Sequence, residues 1–305
     1  MKRFKGELIL FLASLLWGTC FVFQKEGMSY IGPYTLGTFR FLLGAVLLIP
    51  VMPFSKKLQS NTTHIISHDF SDKKLYIGGI LCGVTLFFAA SLQQIGLKYT
   101  TAGKAGFITS MEIVMVAVIS LFLTRKIKKH TLLGIIMAIL GMYFLCMSGG
   151  TFHLQKGDML ECAAIIFWAA QIMIIDHFAK LVDIIKLSFL QFTTTGLLSF
   201  FCMLLFEHFS WKNVFAGFIP ILYTAIIEVA IAYTLQMIGQ IYTPPVVASV
   251  ILSLESVFSA ISGALVLGEK LTFVQLTGCF FMVAAVIITQ LPEKQKDCEQ
   301  ISTHI

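Results

Sequence analysis

The stretch Ser91–Glu112, SLQQIGLKYTTAGKAGFITSME, returns 143 residues later as Thr234–Glu255, TLQMIGQIYTPPVVASVILSLE. Ten of the 22 positions are identical, among them Gln93/Gln236, Gly96/Gly239, Tyr99/Tyr242, Thr100/Thr243, Ser110/Ser253 and Glu112/Glu255. A shared apolar bias does not place Gln on Gln, Tyr on Tyr and Glu on Glu in register, so this is an internal repeat. Further out, at a shift of 151, Gly6 meets Gly157, Trp17 meets Trp168 and Phe41 meets Phe192. The two shifts differ through loop length. The chain therefore reads as two related units, residues 1–150 and 151–292, followed by a tail at 293–305.

What each unit contains follows from composition. Of 305 residues, 57% are apolar and 12% charged, with a mean hydropathy of +0.86. Soluble chains carry roughly twice that charge, so the solvent for most of this one is lipid. A bilayer core takes about 20 residues of helix, and such runs fall at 8–23, 33–52, 75–96, 105–123, 131–148, 158–177, 187–206, 214–238, 245–267 and 272–291. That is five per unit. An odd number makes the second copy enter the membrane from the opposite side. The expected fold is an all-α integral membrane protein, with ten transmembrane helices arranged as two inverted five-helix repeats.

Lys and Arg set the orientation. With the N-terminus inside, 15 of the 22 fall in inside segments and 6 outside, and Arg40 lies within a span. That bias places both termini in the cytoplasm of a multi-pass cell-membrane protein. Lys2-Arg3-Phe4-Lys5 ahead of Leu8–Phe23 then reads as a signal anchor that stays as the first helix. The polar loop from Phe54 to Lys74 is the longest connection.

Several function classes drop out. The +6 net charge is dispersed in short clusters between apolar runs, which does not make a nucleic-acid surface. The seven cysteines stand singly, without the spacing of a metal site or disulfide frame. His64, His68, Asp69 and Asp72 read as a solvated loop, so neither metal nor cofactor is expected. No Walker A, HExxH, GxSxG or dinucleotide fingerprint occurs, so ATP does not drive this protein directly and no enzyme activity is expected.

The motifs themselves resemble the drug/metabolite transporter superfamily, in the branch with paired EamA domains. The likeness rests on Leu16-Trp17-Gly18, on Pro33 with Phe39-Arg40-Phe41, and on Leu92–Leu97 followed by Tyr99–Thr109. Near the end, Ser253–Phe258 and Leu267–Leu271 carry it as well. The resemblance implies ten helices, a central cavity between the halves, and export of amino acids or other small metabolites.

Ionisable groups inside spans cost about 2.5–3.5 kcal/mol or more at the helix centre, so they face a partner, a cavity or a ligand. Arg40, Glu112, Glu228 and Glu255 are such groups, whereas Asp158, Glu161, Asp176 and His177 read as interfacial or helix-end charges. Glu255 lies beside a stripe of small residues, Ser249, Ser253, Ser256, Ala260 and Gly263. Glu112 lies beside its counterpart, Gly106, Ser110, Ile113, Ala117 and Ser120. Such stripes let helices approach closely. Both glutamates could instead cap a neighbouring backbone or pair structurally with Arg40. Gln93 and Gln236 can bond across helices, and Trp17 and Trp168 can pack or line a cavity. Glu255, Glu228, Glu112, Arg40, Gln93, Gln236, Trp17 and Trp168 are the candidate substrate- or proton-binding residues. The reading is a secondary transporter working by alternating access, with the lipid bilayer, a small-molecule substrate and protons as coupling ion as its partners. The alternatives are a membrane-embedded enzyme acting on lipid-linked substrates, which needs a reactive cluster at one interface, and a non-transporting scaffold. A scaffold has no reason to bury three acids.

Overall fold

The computed structural model describes residues 2–55, 72–99, 108–124, 128–146, 156–267 and 272–289, and the regular structure among them is helical, without a strand. Seven helices are long and apolar enough to cross a bilayer: α1 (Phe4–Gly27), α2 (Pro33–Phe54), α3 (Lys73–Gly96), α6 (Lys156–Phe178), α7 (Ile184–Phe206), α8 (Phe218–Tyr242) and α9 (Pro245–Ser262). Three further apolar helices are shorter, α4 (Ile108–Leu123), α5 (Lys129–Phe144) and α10 (Phe273–Thr289). Most of the loop after Phe54, Gly106 of the small-residue stripe, the Arg125–Ile127 and Gly268–Lys270 loops, and the tail from 293 lie outside the described residues.

The outer surface is as apolar as the sequence demands. Phe122, Leu265 and Phe273 are each at least 80% exposed. Large side chains left bare in this number are compatible only with a lipid solvent.

Helix ends fall where local chemistry puts them. Pro33 and Pro245 occupy first turns, where a missing N–H costs nothing. The last six residues of α2, Ile49–Phe54, tighten into 3₁₀ geometry around Pro50 and Pro53. Glu207, at the end of α7, accepts the Tyr34 and Thr35 amides at 2.8 Å each and the Thr35 hydroxyl at 2.6 Å. It thereby satisfies the free N-terminus of α2. Conversely, Asp183 caps α7 through the Ile185 and Lys186 amides, and Ser55 at the end of α2 donates to it at 2.6 Å. The α2–α7 pair is tied at both ends.

The main packings cross between the two halves of the chain: α5 on α10, α2 on α7, α3 on α6 and α7, α1 on α8 and α9, α2 on α8, and α4 on α6. Small residues permit these approaches. A Cβ on Gly141 would lie 2.8 Å from the Gly278 carbonyl of α10. A Cβ on Gly96 would meet Glu161 of α6 at 2.8 Å, and one on its repeat counterpart Gly239 would meet Leu10 of α1 at 2.6 Å. Residues 10 and 161 are themselves counterparts at the shift of 151, so the same crossing is built twice.

Three irregularities were not foreseen. The expected span at 214–238 is divided, with a short helix Trp211–Ala216 ending at Gly217 before α8 begins. Within α8, Thr224–Tyr233 is wound as a π-helix. Finally, α4 and α9 are each interrupted at the same repeat position. The Met111 amide bonds back to the Ile108 carbonyl at 3.0 Å, and the Leu254 amide to the Ile251 carbonyl at 3.2 Å. These are three-residue steps in place of four, and a regular helix resumes at Glu112 and at Glu255.

Candidate functional site

The interruptions of α4 and α9 and the π-helical stretch of α8 lead to one place. Thirteen residues line a partly open cavity whose space, its mouth included, is about 450 Å³: Trp17, Phe21 and Gln24 on α1, Gln93 on α3, Thr109 and Glu112 on α4, Trp168 and Ile172 on α6, with Glu228, Tyr233 and Gln236 on α8 and Leu252 and Glu255 on α9. The walls stand close together. About 30 Å³ can be occupied by water centres, room for roughly two waters.

Ten of the thirteen form five repeat-related pairs: Trp17/Trp168, Phe21/Ile172, Gln93/Gln236, Thr109/Leu252 and Glu112/Glu255. The other three, Gln24, Glu228 and Tyr233, belong to α1 and α8. The lining comes from two clusters of helices, α3 with α4 and α6, and α8 with α9 and α1. Since α1 corresponds to α6, α3 to α8 and α4 to α9, each cluster is the repeat image of the other. Each contains helices from both halves of the chain.

The interruptions give Glu112 and Glu255 their place. Each glutamate opens the second segment of its broken helix, where backbone amides are not all consumed by intrahelical bonds and a negative charge is favoured. Neither has a hydrogen-bond or ion-pair partner among the described residues. The π-helical turn of α8 does the same for Glu228. Arg40 Nη1 on α2 reaches both Glu228 oxygens, at 3.0 and 3.1 Å, with both side chains 3% exposed. Gln24 stands on the same wall of the cavity as Glu228. Arg40's partner is thus Glu228 and not either repeat-related glutamate. Arg40 stands behind the lining, and the remaining seven residues singled out in the sequence face the cavity.

The aromatic wall centres on Tyr233. Its ring lies 4.9 Å from Trp17 and 6.4 Å from Trp168, the latter nearly parallel at 9°. Phe41 and Phe192, another repeat pair, support it from behind at 6.3 and 6.1 Å. Both indole N–H groups are buried without a hydrogen-bond partner among the described residues, as is the Gln236 carbonyl oxygen. Such unmet donors and acceptors at a cavity wall suit a polar ligand. Indole and phenol faces beside carboxylates suit a cationic group.

The small-residue stripes meet each other. Ser110 and Ser256 hydroxyls are 2.6 Å apart, and Ser249 and Ser253 are buried with their hydroxyls turned onto their own helix at Val246 and Val250. Ser262 donates to the Gly18 carbonyl at 2.9 Å, joining α9 to α1.

Sequence reasoning passed over Gln24, Thr109, Tyr233 and Glu161. Glu161, whose position in the sequence suggests a span-end charge, is fully buried and accepts a hydrogen bond from the Thr109 hydroxyl at 3.0 Å. The usable signal was the repeat itself, which sets Leu10 opposite Glu161 and Leu252 opposite Thr109. A polar residue standing where its twin is leucine calls for a reason.

A helical membrane protein with an acid- and aromatic-lined cavity between two repeat-related helix clusters has the form of a small-molecule transporter. The chain belongs to the EamA-like transporter family, whose model matches residues 4–147 and again 155–291. It is similar to an "Uncharacterized transporter" of Archaeoglobus fulgidus, 32% identical over 95% of this chain and 87% of the relative. A "Probable amino-acid metabolite efflux pump" of Salmonella typhimurium is 24% identical over 94% of this chain and 95% of the pump. A solved crystal structure superposes with a TM-score of 0.75 at 20% identity, covering 94% of this chain and 96% of its own, which supports the fold.

Proposed function

We propose that the protein is a secondary transporter, not driven by ATP, that exports amino acids or other small metabolites by alternating access. The observation that carries this reading is the pairing of the cavity lining. Five equivalent positions of the two repeats converge on one cavity, as expected when an inverted repeat places its binding site at the pseudo-two-fold axis near the midplane. The exchange-symmetric packing of ten apolar helices supports two inverted five-helix repeats, 1–150 and 151–292, with both termini cytoplasmic and the chain in the cell membrane. The relative named as an amino-acid metabolite efflux pump supports the substrate class.

The packing refines what moves. The bodies that rock are the two clusters α3–α4–α6 and α8–α9–α1, each drawn from both repeats, and not residues 1–150 against 151–292. Glu228 is neutralised by Arg40. Glu112 and Glu255 are left to meet a substrate amine or a proton, and Trp17, Tyr233 and Trp168 pack its apolar part. Gln93 and Gln236 orient its polar groups.

Proteoliposomes holding the purified chain, loaded with a mixture of the twenty amino acids, test this directly. Efflux of a subset is expected, lost in a Glu112→Gln/Glu255→Gln double variant that still inserts and purifies as a monodisperse species. Efflux no faster than from empty liposomes for every amino acid would remove the substrate class. Undiminished efflux in the double variant would remove the two glutamates from the site.

A further inference from the structure

Behind Gln93 and Thr109 the cavity wall carries an acid that the repeat-related side lacks. Gln93 Nε2 donates to Thr109 Oγ1 at 3.1 Å, and Thr109 Oγ1 donates to Glu161 Oε2 at 3.0 Å. Gln93 and Thr109 line the cavity, while Glu161 sits behind them, fully buried, with its Oε1 bare of any partner among the described residues. A carboxylate enclosed in this way is expensive to retain. A packing role does not require it. At the equivalent crossing α8, α9 and α1 place Gln236, Leu252 and Leu10, and Leu10 and Leu252 close the space within one apolar cluster. The helices join equally well with two leucines.

We propose that Glu161 is a proton-binding site whose occupancy sets the direction in which the Thr109 hydroxyl points. The proposal rests on the reading of the cavity as a transport cavity. While Glu161 is ionised it can only accept, so Thr109 spends its single proton on Oε2 and offers the cavity no donor. Once Glu161 takes up a proton it becomes a donor to Thr109 Oγ1, whose two lone pairs then serve Glu161 and Gln93. The Thr109 proton is released to point into the cavity, towards the substrate. Proton uptake behind the wall thus changes a cavity residue from a group that offers no donor to one that offers a hydrogen bond. No covalent bond is made or broken beyond the protonation of one oxygen. The charged or titratable groups on packed elements near this end are Asp158, one turn earlier on α6, Glu112 on α4, and Lys98 and Tyr99 past the end of α3. The rest of α3 here and α8 contribute the amides Gln93, Gln94, Gln236 and Gln240. Lys98 and Tyr99 are exposed, and Glu161 makes no ion pair among the described residues.

Infrared difference spectroscopy of the full chain in lipid nanodiscs, titrated through a pH series, tests this with the proton as the probe. A protonated-carboxyl band that appears with acid in the wild-type protein should be missing in Glu161→Gln. In Thr109→Val it should persist at a shifted frequency, because its hydroxyl partner is gone, and Thr109→Ser should restore the original frequency. Loss of the band in Glu161→Gln with no shift in Thr109→Val would overturn the switch, since the hydroxyl would not be coupled to the acid. An unchanged titration in Glu161→Gln would overturn the proton site. Because no substrate is present, these outcomes are independent of whether amino-acid efflux is found. In the efflux assay, Thr109→Val should flatten the pH dependence of the rate, and a profile identical to wild type would likewise count against the switch.

Discussion

Replacing Arg40 with Met removes the partner of Glu228 and leaves a carboxylate in a site where both side chains are 3% exposed. Breaking a buried pair from one side costs about 3–5 kcal/mol, because the remaining charge is uncompensated, whereas replacing both members with apolar groups of similar size is close to neutral. Here Arg40 Nη1 makes both contacts to Glu228, while Arg40 Nε is buried with no partner among the described residues. The pair is therefore imperfectly compensated to begin with, and the double replacement should recover nearly everything. At roughly 2–4 °C per kcal/mol for a chain in this size range, Arg40→Met should lower the melting midpoint by about 6–20 °C. The assay is fluorescence-detected size-exclusion after heating in detergent. Arg40→Met/Glu228→Met should return to within a few degrees of wild type and still lack normal efflux if Glu228 contributes to the cavity. A single variant as stable as wild type, or a double variant as unstable as the single, would refute the view that this pair is held together by mutual compensation.

Glu207→Ala removes three hydrogen bonds from the start of α2 and should destabilise by about 1–3 kcal/mol, read as a lower melting midpoint in the same assay, with Glu207→Gln losing less. Ser253→Leu places a bulky side chain on a buried surface beside the interruption of α9 and should cost about 1–3 kcal/mol through overpacking; normal yield and normal efflux would show that the contact is loose. Reporter fusions after Lys156 and after Ile305 should report opposite sides of the membrane, and agreement between them would exclude the inverted arrangement.

Much of this molecule could be read before any coordinates. The helical class, the duplication, and seven of the eight residues singled out lead to the cavity because lipid makes the sequence say plainly what is out of place. What escaped was backbone. Ser253 and Leu254 look like ordinary helix residues, and nothing in TAIIEVAIAY announces a π turn. Such windings depend on neighbouring helices to satisfy the backbone groups they free. Glu161 escaped for a different reason. Its distance from the end of the apolar run resembles that of a solvated helix-end acid, and only the crossing with Gly96 and Thr109 encloses it. The choice of Glu228 as Arg40's partner is likewise a matter of three dimensions, since three acids were placed within spans and nothing in their spacing ranks them.

The interleaving of the helices has a consequence for how the chain is made. Synthesis delivers α1 to α5 first, yet each of their principal packing partners is encoded after residue 150. The amides that begin α2 wait for an acceptor 172 and 173 positions downstream. The first repeat should therefore reach the bilayer as a set of largely unpaired helices, with assembly expected to begin when the second repeat threads among them. A nascent chain halted near residue 150 should be a substrate for membrane quality control. The two repeats made as separate polypeptides should be degraded singly and rescued by co-expression.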